Sequence, residues 1–533
     1  MQSEDEGAFD IIIVGTGLTE SIAAAALSKA GFKVAHIDEN AYYGAGEASL
    51  SFEELVRWQN EPQPGFSSFS RSSDGIEQAR AYSISLSPSL IPSTGPLIEA
   101  LVASGVARYG GFRLIERVCV YNPSGTVKPN KDISLVDKRR LMRFLMFAAG
   151  DFEDKKELEG HADTPFPEYL KTVFSLNDEM TNAITYALAY CLSPADPTLP
   201  ALHRLRRYLR SAGRYGASPF LVGHYGSSGE IAQGFCRTAA VSGAVYILGR
   251  KLESIAASSP ASSVPKHIVR LAEFPDPLTC SLLISPSSSN SGAAPVPPPS
   301  TPSSPFTSSS PNHAVARCIA IIDRALSVGL PTPPEEVAET VEETTTPAAQ
   351  PVLDTAVIVF PPSSLPNGGS SVAAATVLLT GDGTMSCPRG KWIIYIALPI
   401  LSPTDASLAD PQSLLKPYLD ATLVLSPASE SDAPLTPLFS TYYIQHPNAP
   451  APATTEETGD TVAPHLSPTR LPPVFPLPDA ADAAAAHAEN VFWEAVRMLR
   501  PSALPSEQKD GEDEGVIHGL WPPLENVVGE DEE

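Results

Sequence analysis

Phe9-Asp-Ile-Ile-Ile-Val-Gly-Thr-Gly-Leu-Thr-Glu20, continued by Lys33-Val-Ala-His-Ile-Asp38 and Tyr42-Tyr43-Gly44, decides the fold. Ile11 to Val14 form an apolar, β-branched run, the pattern of a strand buried on both faces. Gly15 and Gly17 follow at once, and the Ala-rich Ser21 to Ala30 reads as a helix that stops at Gly31. Val34 to Ile37 make a second strand. Asp38 closes it about 20 residues after the glycines, where a ribose-binding acid sits in a dinucleotide-binding turn. The third position of that fingerprint is Glu20 instead of glycine. A carboxylate there repels a diphosphate, so the expectation is a Rossmann-type scaffold without its cofactor.

The chain has 533 residues, enough for several domains, and 36 basic against 61 acidic residues leave a net charge of −25. So acidic a surface argues against nucleic acid as a partner. The six cysteines are scattered with no Cys-x-x-Cys pair, which argues against a zinc site, a redox dithiol or a disulfide framework. No signal-peptide pattern and no run of about 20 apolar residues is seen. The C-terminal Gly-Glu-Asp-Glu-Glu offers no cysteine for prenylation. The expected location is the cytosol, with only transient visits to membranes.

Residues 10–130 read as α/β, with a helix at Gly95–Ser104 and strands within Phe112–Tyr121. Residues 134–215 turn helical; Leu141, Phe144, Leu145 and Ala148 share one face of a helix running to Ala149. Asn182–Tyr190 and Ala201–Arg210 are further helices. Strand-like runs return at Arg317–Ile322, Thr355–Phe360, Lys391–Leu398 and Thr441–Ile444, and a helix follows at Ala481–Arg500. Ser and Pro supply 18 of the 26 residues in 286–311, so that segment, with 331–351 and 447–478, is expected to form no packed element. The expected architecture is therefore α/β (α+β). A discontinuous Rossmann-type body (1–133 and 216–500) carries a smaller all-helical domain (134–215), followed by an acidic, mostly disordered tail (501–533).

A second block is Gly213-Arg-Tyr-Gly-Ala-Ser-Pro-Phe-Leu221 with His224-Tyr-Gly-Ser-Ser-Gly-Glu-Ile-Ala-Gln-Gly-Phe-Cys-Arg237. Ser227-Ser228-Gly229 suits a helix start, with Glu230 in the first turn where the helix dipole favours an anion. Glu230, Gln233 and Arg237 stand at i, i+3 and i+7 and project from one face. Spacing alone allows an ordinary solvated face. Catalytic constellations are missing: there is no Gly-x-Ser-x-Gly elbow, no His-Glu-x-x-His and no phosphate-binding Gly-x-x-x-x-Gly-Lys. Thr380-Gly-Asp382 faintly echoes the Gly-Asp that holds a flavin ribitol, but Gly381-Asp-Gly383 reads more simply as a hairpin turn.

Together the two blocks resemble the superfamily of Rab GDP-dissociation inhibitors and Rab escort proteins, which share an FAD-oxidoreductase-like fold without being known as flavoenzymes. The resemblance implies that Tyr43, Arg80, Glu230, Gln233 and Arg237 form a platform gripping GDP-bound Rab GTPases, with Ile247 as an apolar contact. It also implies no catalysis, no metal and no bound FAD around Gly15, Gly17, Glu20 and Asp38. Val136-Asp-Lys-Arg-Arg-Leu-Met-Arg-Phe-Leu145, Phe235-Cys-Arg237 and Asn490-Val-Phe-Trp-Glu-Ala-Val-Arg-Met-Leu499 are closer to the escort branch. Gly46-Glu47-Ala-Ser49 and Gln233-Gly234-Phe235 are closer to the inhibitor branch.

The escort reading implies three kinds of partner: GDP-bound Rab, the α/β heterodimer of Rab geranylgeranyltransferase and the geranylgeranyl lipid of Rab. Phe144, Leu145 and Phe147 are candidates for the transferase or lipid contact, although a helical core explains them equally well. The alternatives are an inhibitor that recycles prenylated Rab and an FAD-dependent oxidoreductase.

Overall fold

A computed structural model of the chain describes residues 7–122, 134–257, 266–285, 313–327, 353–401, 410–426, 433–446, 465–466, 476–504 and 515–523. The opening stretch folds as read. Strand β1 (Ala8–Val14) leads through Gly15 into helix α1 (Leu18–Lys29) and returns as strand β2 (Val34–Asp38). Gly15 and Gly31, at φ 94° and 79°, make the two turns in a backbone region that side chains disfavour. β1 and β2 pair in parallel from Ile11↔Val34 to Val14↔Ile37.

Four further strands complete the main row of this sheet: β3 (Val245–Leu248), β4 (Leu252–Ala257), β5 (His267–Leu271) and β6 (Leu278–Ile284). The order is β3-β2-β1-β6-β5-β4. The first four strands run parallel, and the last two pairings are antiparallel. One face is covered by α1, by helix α2 (Ser228–Val241) and by helix α3 (Ala480–Leu499), whose alanines let the helices approach closely. The expected helix at 481–500 is thus present.

A second, seven-stranded sheet runs Phe66–Arg71, Phe439–Gln445, Ala314–Ile322, Trp392–Ile400, Ala375–Gly381, Thr355–Phe360 and Arg117–Val120. It is antiparallel except at its last pair. Every residue of Ala314–Ile322 and Thr355–Phe360 is buried, because both faces of the sheet are packed. Gly381-Asp-Gly383 is not a tight hairpin. Asp382–Thr384 forms a 3₁₀ turn held by Asp354, and the antiparallel partner begins only at Trp392.

Helices Leu135–Ala149, Phe166–Phe174, Asp178–Asn182 and Thr198–Ser211, with a π-helical turn at Ala183–Leu188, occupy the stretch between the two α/β portions. Their aromatic core is continuous with the inner face of the second sheet. Arg207 and Tyr208 bind Asp479, and the neighbouring Asp482 accepts the Leu97 amide at the start of helix Pro96–Ser104. This buried polar cluster ties the helical stretch to α3.

The segments 286–311 and 331–351 lie outside the described residues. Parts of the other two expected unstructured regions do fold. His465–Leu466 adds a parallel strand to β6, and Ile517, Leu520 and Trp521 pack on the first core, with Trp521 stacked 5.9 Å from Phe235 of α2. These short apolar remnants, of which Leu520-Trp-Pro-Pro-Leu524 stands out in the sequence, gain stability by covering exposed core.

Candidate protein-docking platform

The dinucleotide-type turn is satisfied by the protein's own side chains. Asp38 Oδ2 accepts the amide and hydroxyl of Thr16 at 2.8 and 2.6 Å, and Oδ1 accepts the amide and side chain of Asn40 at 2.8 and 2.9 Å. Four donors leave little capacity for a ribose. At the start of α1, where a diphosphate would take the free amides, Glu47 Oε2 accepts the Leu18 amide at 2.8 Å. A Cβ placed on Gly17 would lie 2.7 Å from Glu20 Oε2 and 3.6 Å from Glu47 Oε2, so two carboxylates converge over this glycine. The residues present do not fit an anionic dinucleotide.

From the same turn a buried chain of contacts leads outward. His36, wholly inaccessible on β2, pairs through Nε2 with the Gly15 carbonyl and through Nδ1 with the Tyr246 hydroxyl at 3.2 Å. Burial holds its imidazole down to about 4, against the weaker pull of the Gly15 carbonyl and Asp38. Tyr246 also bonds the Cys236 thiol of α2, which contacts Ser21 at 3.2 Å. The Tyr43 ring then meets Tyr246 edge-on at 5.9 Å. Tyr43 is therefore braced from beneath.

Close backbone approach sets Tyr43 beside α2. Gly44, at φ 97°, donates its amide to both oxygens of Thr16. A Cβ there would stand 2.9 Å from Ala48 Cα and 3.1 Å from Gly229 Cα; one on Gly229 would stand 2.4 Å from the Ser49 amide. Two glycines, 185 positions apart in the chain (229 − 44), let the Tyr43 loop seat against the first turn of α2. On α2, Ile231, Ala232, Phe235, Cys236 and Ala239 point inward, while Glu230, Gln233 and Arg237 are exposed. The Glu230 carboxyl is pushed up by partial burial. The Arg237 guanidinium lies 4.8 Å over the ring of Tyr109, a residue the sequence reading did not single out. Tyr109 is 63% exposed and supplies a second aromatic beside the row. Only the folded packing of the Val106–Arg108 turn against α2 reveals it.

The remaining expected residues are placed differently. Arg80 sits on a separate 3₁₀ turn, its side chain 91% exposed and 3.8 Å from Glu53. Ile247 is half-buried in β3 and packs on the core beneath the sheet, with part of its surface still outside. Phe144 is wholly buried against Phe166 and Phe174, and Phe147 packs on Phe152 and Phe174. Leu145 is also partly buried. The three apolar residues expected as a contact are thus core or core-edge. The apolar side chains that this helix exposes are Leu135, Val136, Met142 and Met146, interleaved with Lys138, Arg139, Arg140 and Arg143. Helical periodicity marks an apolar face without telling whether the fold covers it. Among the described residues no cluster of His, Cys, Asp and Glu could hold a metal ion.

Residues 2–264 match the family described as GDP dissociation inhibitor. Rab proteins geranylgeranyltransferase component A of Saccharomyces cerevisiae is 29% identical over 411 residues, covering 73% of this chain and 61% of that protein. The Candida albicans protein of the same name is 35% identical over 263 residues, covering 46% of this chain and 41% of its own length. The chain thus spans less than two thirds of either relative. The crystal structure of a Rab GDI from Plasmodium falciparum superposes with a TM-score of 0.57 at 18% identity, over 92% of this chain and 98% of that one, a likeness of fold. Residues 2–264, just under half of the chain, are thus similar to the GDP dissociation inhibitor family.

Proposed function

We propose that this chain is a Rab escort protein. It takes up newly made, GDP-bound Rab on the platform of Tyr43, Glu230, Gln233 and Arg237, presents the Rab C-terminus to the geranylgeranyltransferase heterodimer, and carries the prenylated product to a membrane. The observation that carries this reading is the exposed acid–amide–base row of α2, locked beside a braced tyrosine by the Gly44–Gly229 contact. Such a row forms directional hydrogen bonds without a large apolar patch, and the aromatic anchors exclude water around them. Arg80 meets the bound Rab from its own separate turn, and Ile247 offers a lesser apolar contact.

The chain works as a non-catalytic component and without FAD, in keeping with a nucleotide turn already taken by Asp38, Glu47 and Glu20. It acts in the cytosol and meets membranes transiently; no helix among the described residues is long and apolar enough to cross one. Shielding the lipid has a clear physical need, because each exposed CH₂ costs about 0.8 kcal/mol.

The test is a prenylation reaction containing unprenylated GDP-loaded Rab, labelled geranylgeranyl diphosphate and the catalytic heterodimer, with and without this protein. Label incorporation that depends on the protein is expected. Rab binding without stimulation would replace the escort reading with that of a dissociation inhibitor, and absence of Rab binding would overturn both.

A further inference from the structure

Where the second sheet faces the starts of α1, α2 and α3 and the helical stretch lies a cavity of about 110 Å³, joined at Arg317 to a smaller void of about 20 Å³. Arg317 projects from the centre of the second sheet and is nine-tenths buried. Its Nε donates to Gln445 Oε1 at 2.6 Å and its Nη2 to Ser87 Oγ at 3.0 Å. Both partners are neutral, and no carboxylate pairs with this guanidinium among the described residues. A cation held so far from water without a counter-charge costs several kcal/mol. The fold retains it at the wall of a cavity.

Other features of that wall favour an anion. Ser228, the first residue of the 14-residue α2, lines the cavity, so the positive end of that helix dipole faces it. The one carboxylate on the wall, Glu47, is already engaged by the Leu18 amide through Oε2. Leu18, Tyr186, Tyr190 and Leu477 supply an apolar side. The two tyrosines come from the π-helical turn Ala183–Leu188 and from Tyr190, whose backbone is left-handed at φ 50°. Irregular backbone of this kind is costly and concentrates at binding sites.

We propose that this cavity binds a small organic monocarboxylate, with the carboxylate on the Arg317 guanidinium and a short apolar body against Tyr186, Tyr190 and Leu477. The volume admits about seven waters' worth of occupant, hence an acid of roughly five to eight heavy atoms. The site is separate from the outward row of α2 and does not depend on the Rab reading.

Isovalerate serves as the probe in thermal unfolding of the full chain, with isovaleramide as its uncharged counterpart and chloride holding ionic strength constant. The expected result is a saturable rise in Tm with isovalerate alone. Arg317→Met should weaken its apparent affinity at least about tenfold, as loss of a charge-assisted pair does. Ala397→Leu fills the cavity from its partly accessible wall while keeping the charge, and should abolish the rise. If Arg317→Met does not fold, the leucine variant and the amide control carry the test. An unsaturable response, an equal rise with isovaleramide, or saturation unchanged in the leucine variant would overturn the proposal.

Discussion

Arg237 and Tyr43 reach the same surface by different physical routes. Arg237 is held by the helix and by the face of Tyr109, whereas Tyr43 is held by Tyr246 and the turn beneath it. Truncating either to alanine should weaken Rab·GDP binding by about 1–2 kcal/mol or more, as central aromatic and arginine anchors do. Titration calorimetry with GDP-loaded Rab measures this, and unchanged affinity in both variants would remove the platform from the proposal. His36 gives a second residue-scale test. Its imidazole titrates near 6.5 when unfolded but is held down to about 4 in the fold, so the folded form resists the proton. Its stabilising effect is complete above pH 6.5 and is lost as pH falls toward 4, a change of about 3 kcal/mol. His36→Gln should flatten that part of the stability-versus-pH curve, measured by urea unfolding at stepped pH. The outward direction of Glu230, Gln233 and Arg237 was legible from their i, i+3, i+7 spacing. Tyr109 was not, because its meeting with Arg237 joins residues 128 positions apart (237 − 109).

Glycine contacts decide how the elements bearing those residues meet. Gly229→Ala would place a methyl 2.4 Å from the Ser49 amide and within 3 Å of further Ala48 and Ser49 atoms, mostly backbone that has little freedom to retreat. The variant should lose about 1–3 kcal/mol of stability through overpacking. It should also weaken Rab binding, although it leaves every platform side chain intact, because Tyr43 shifts away from α2. Denaturant midpoints and Rab affinity measured on one preparation test both halves; loss of stability with full affinity would show that the loop and helix need no fixed register. Elements of this kind were legible where they announce themselves locally. β1, α1 and β2 follow from apolar runs broken by glycine, and α3 from its alanines and aromatics. Strands β3 to β6, with Phe66–Arg71 and Ala375–Gly381, were missed. β6 pairs with β1 about 270 residues away; Leu278, Cys280 and Leu282 alternate with Thr279 and Ser281 before the run turns continuously apolar, a mixed pattern that matches neither the alternating nor the fully apolar strand template throughout. Phe144 shows the opposite failure: its helix was placed correctly, yet its burial depended on Phe166 and Phe174 arriving from elsewhere.

At the scale of the whole molecule, a dinucleotide-type sheet has been joined to a larger antiparallel sheet while the turn between β1 and α1 is closed by carboxylates. Three acids do this from different places. Asp38 comes from the end of β2, Glu20 from the first turn of α1, and Glu47 from the loop that also bears Tyr43. Closing the β1–α1 turn and bracing Tyr43 are thus one arrangement, since Thr16 bonds both Asp38 and Gly44. A flavin dinucleotide would have to displace Glu47 from the Leu18 amide, strip Asp38 of four donors and set its diphosphate against two carboxylates. Each of these costs free energy that ligand contacts would have to recover. The purified protein should therefore be colourless, and added FAD or ADP should leave its melting temperature unchanged. The informative companion is Glu47→Ala, which frees the Leu18 amide but also loosens the Ala45–Glu47 turn. It should lower Rab affinity together with stability, because Tyr43 rides on the same loop. A stoichiometric flavin absorbance band in the wild-type protein would reverse this reading and return the scaffold to cofactor chemistry. A Glu47→Ala protein with undiminished Rab affinity would instead separate the nucleotide turn from the platform, leaving the tyrosine braced by His36 and Tyr246 alone.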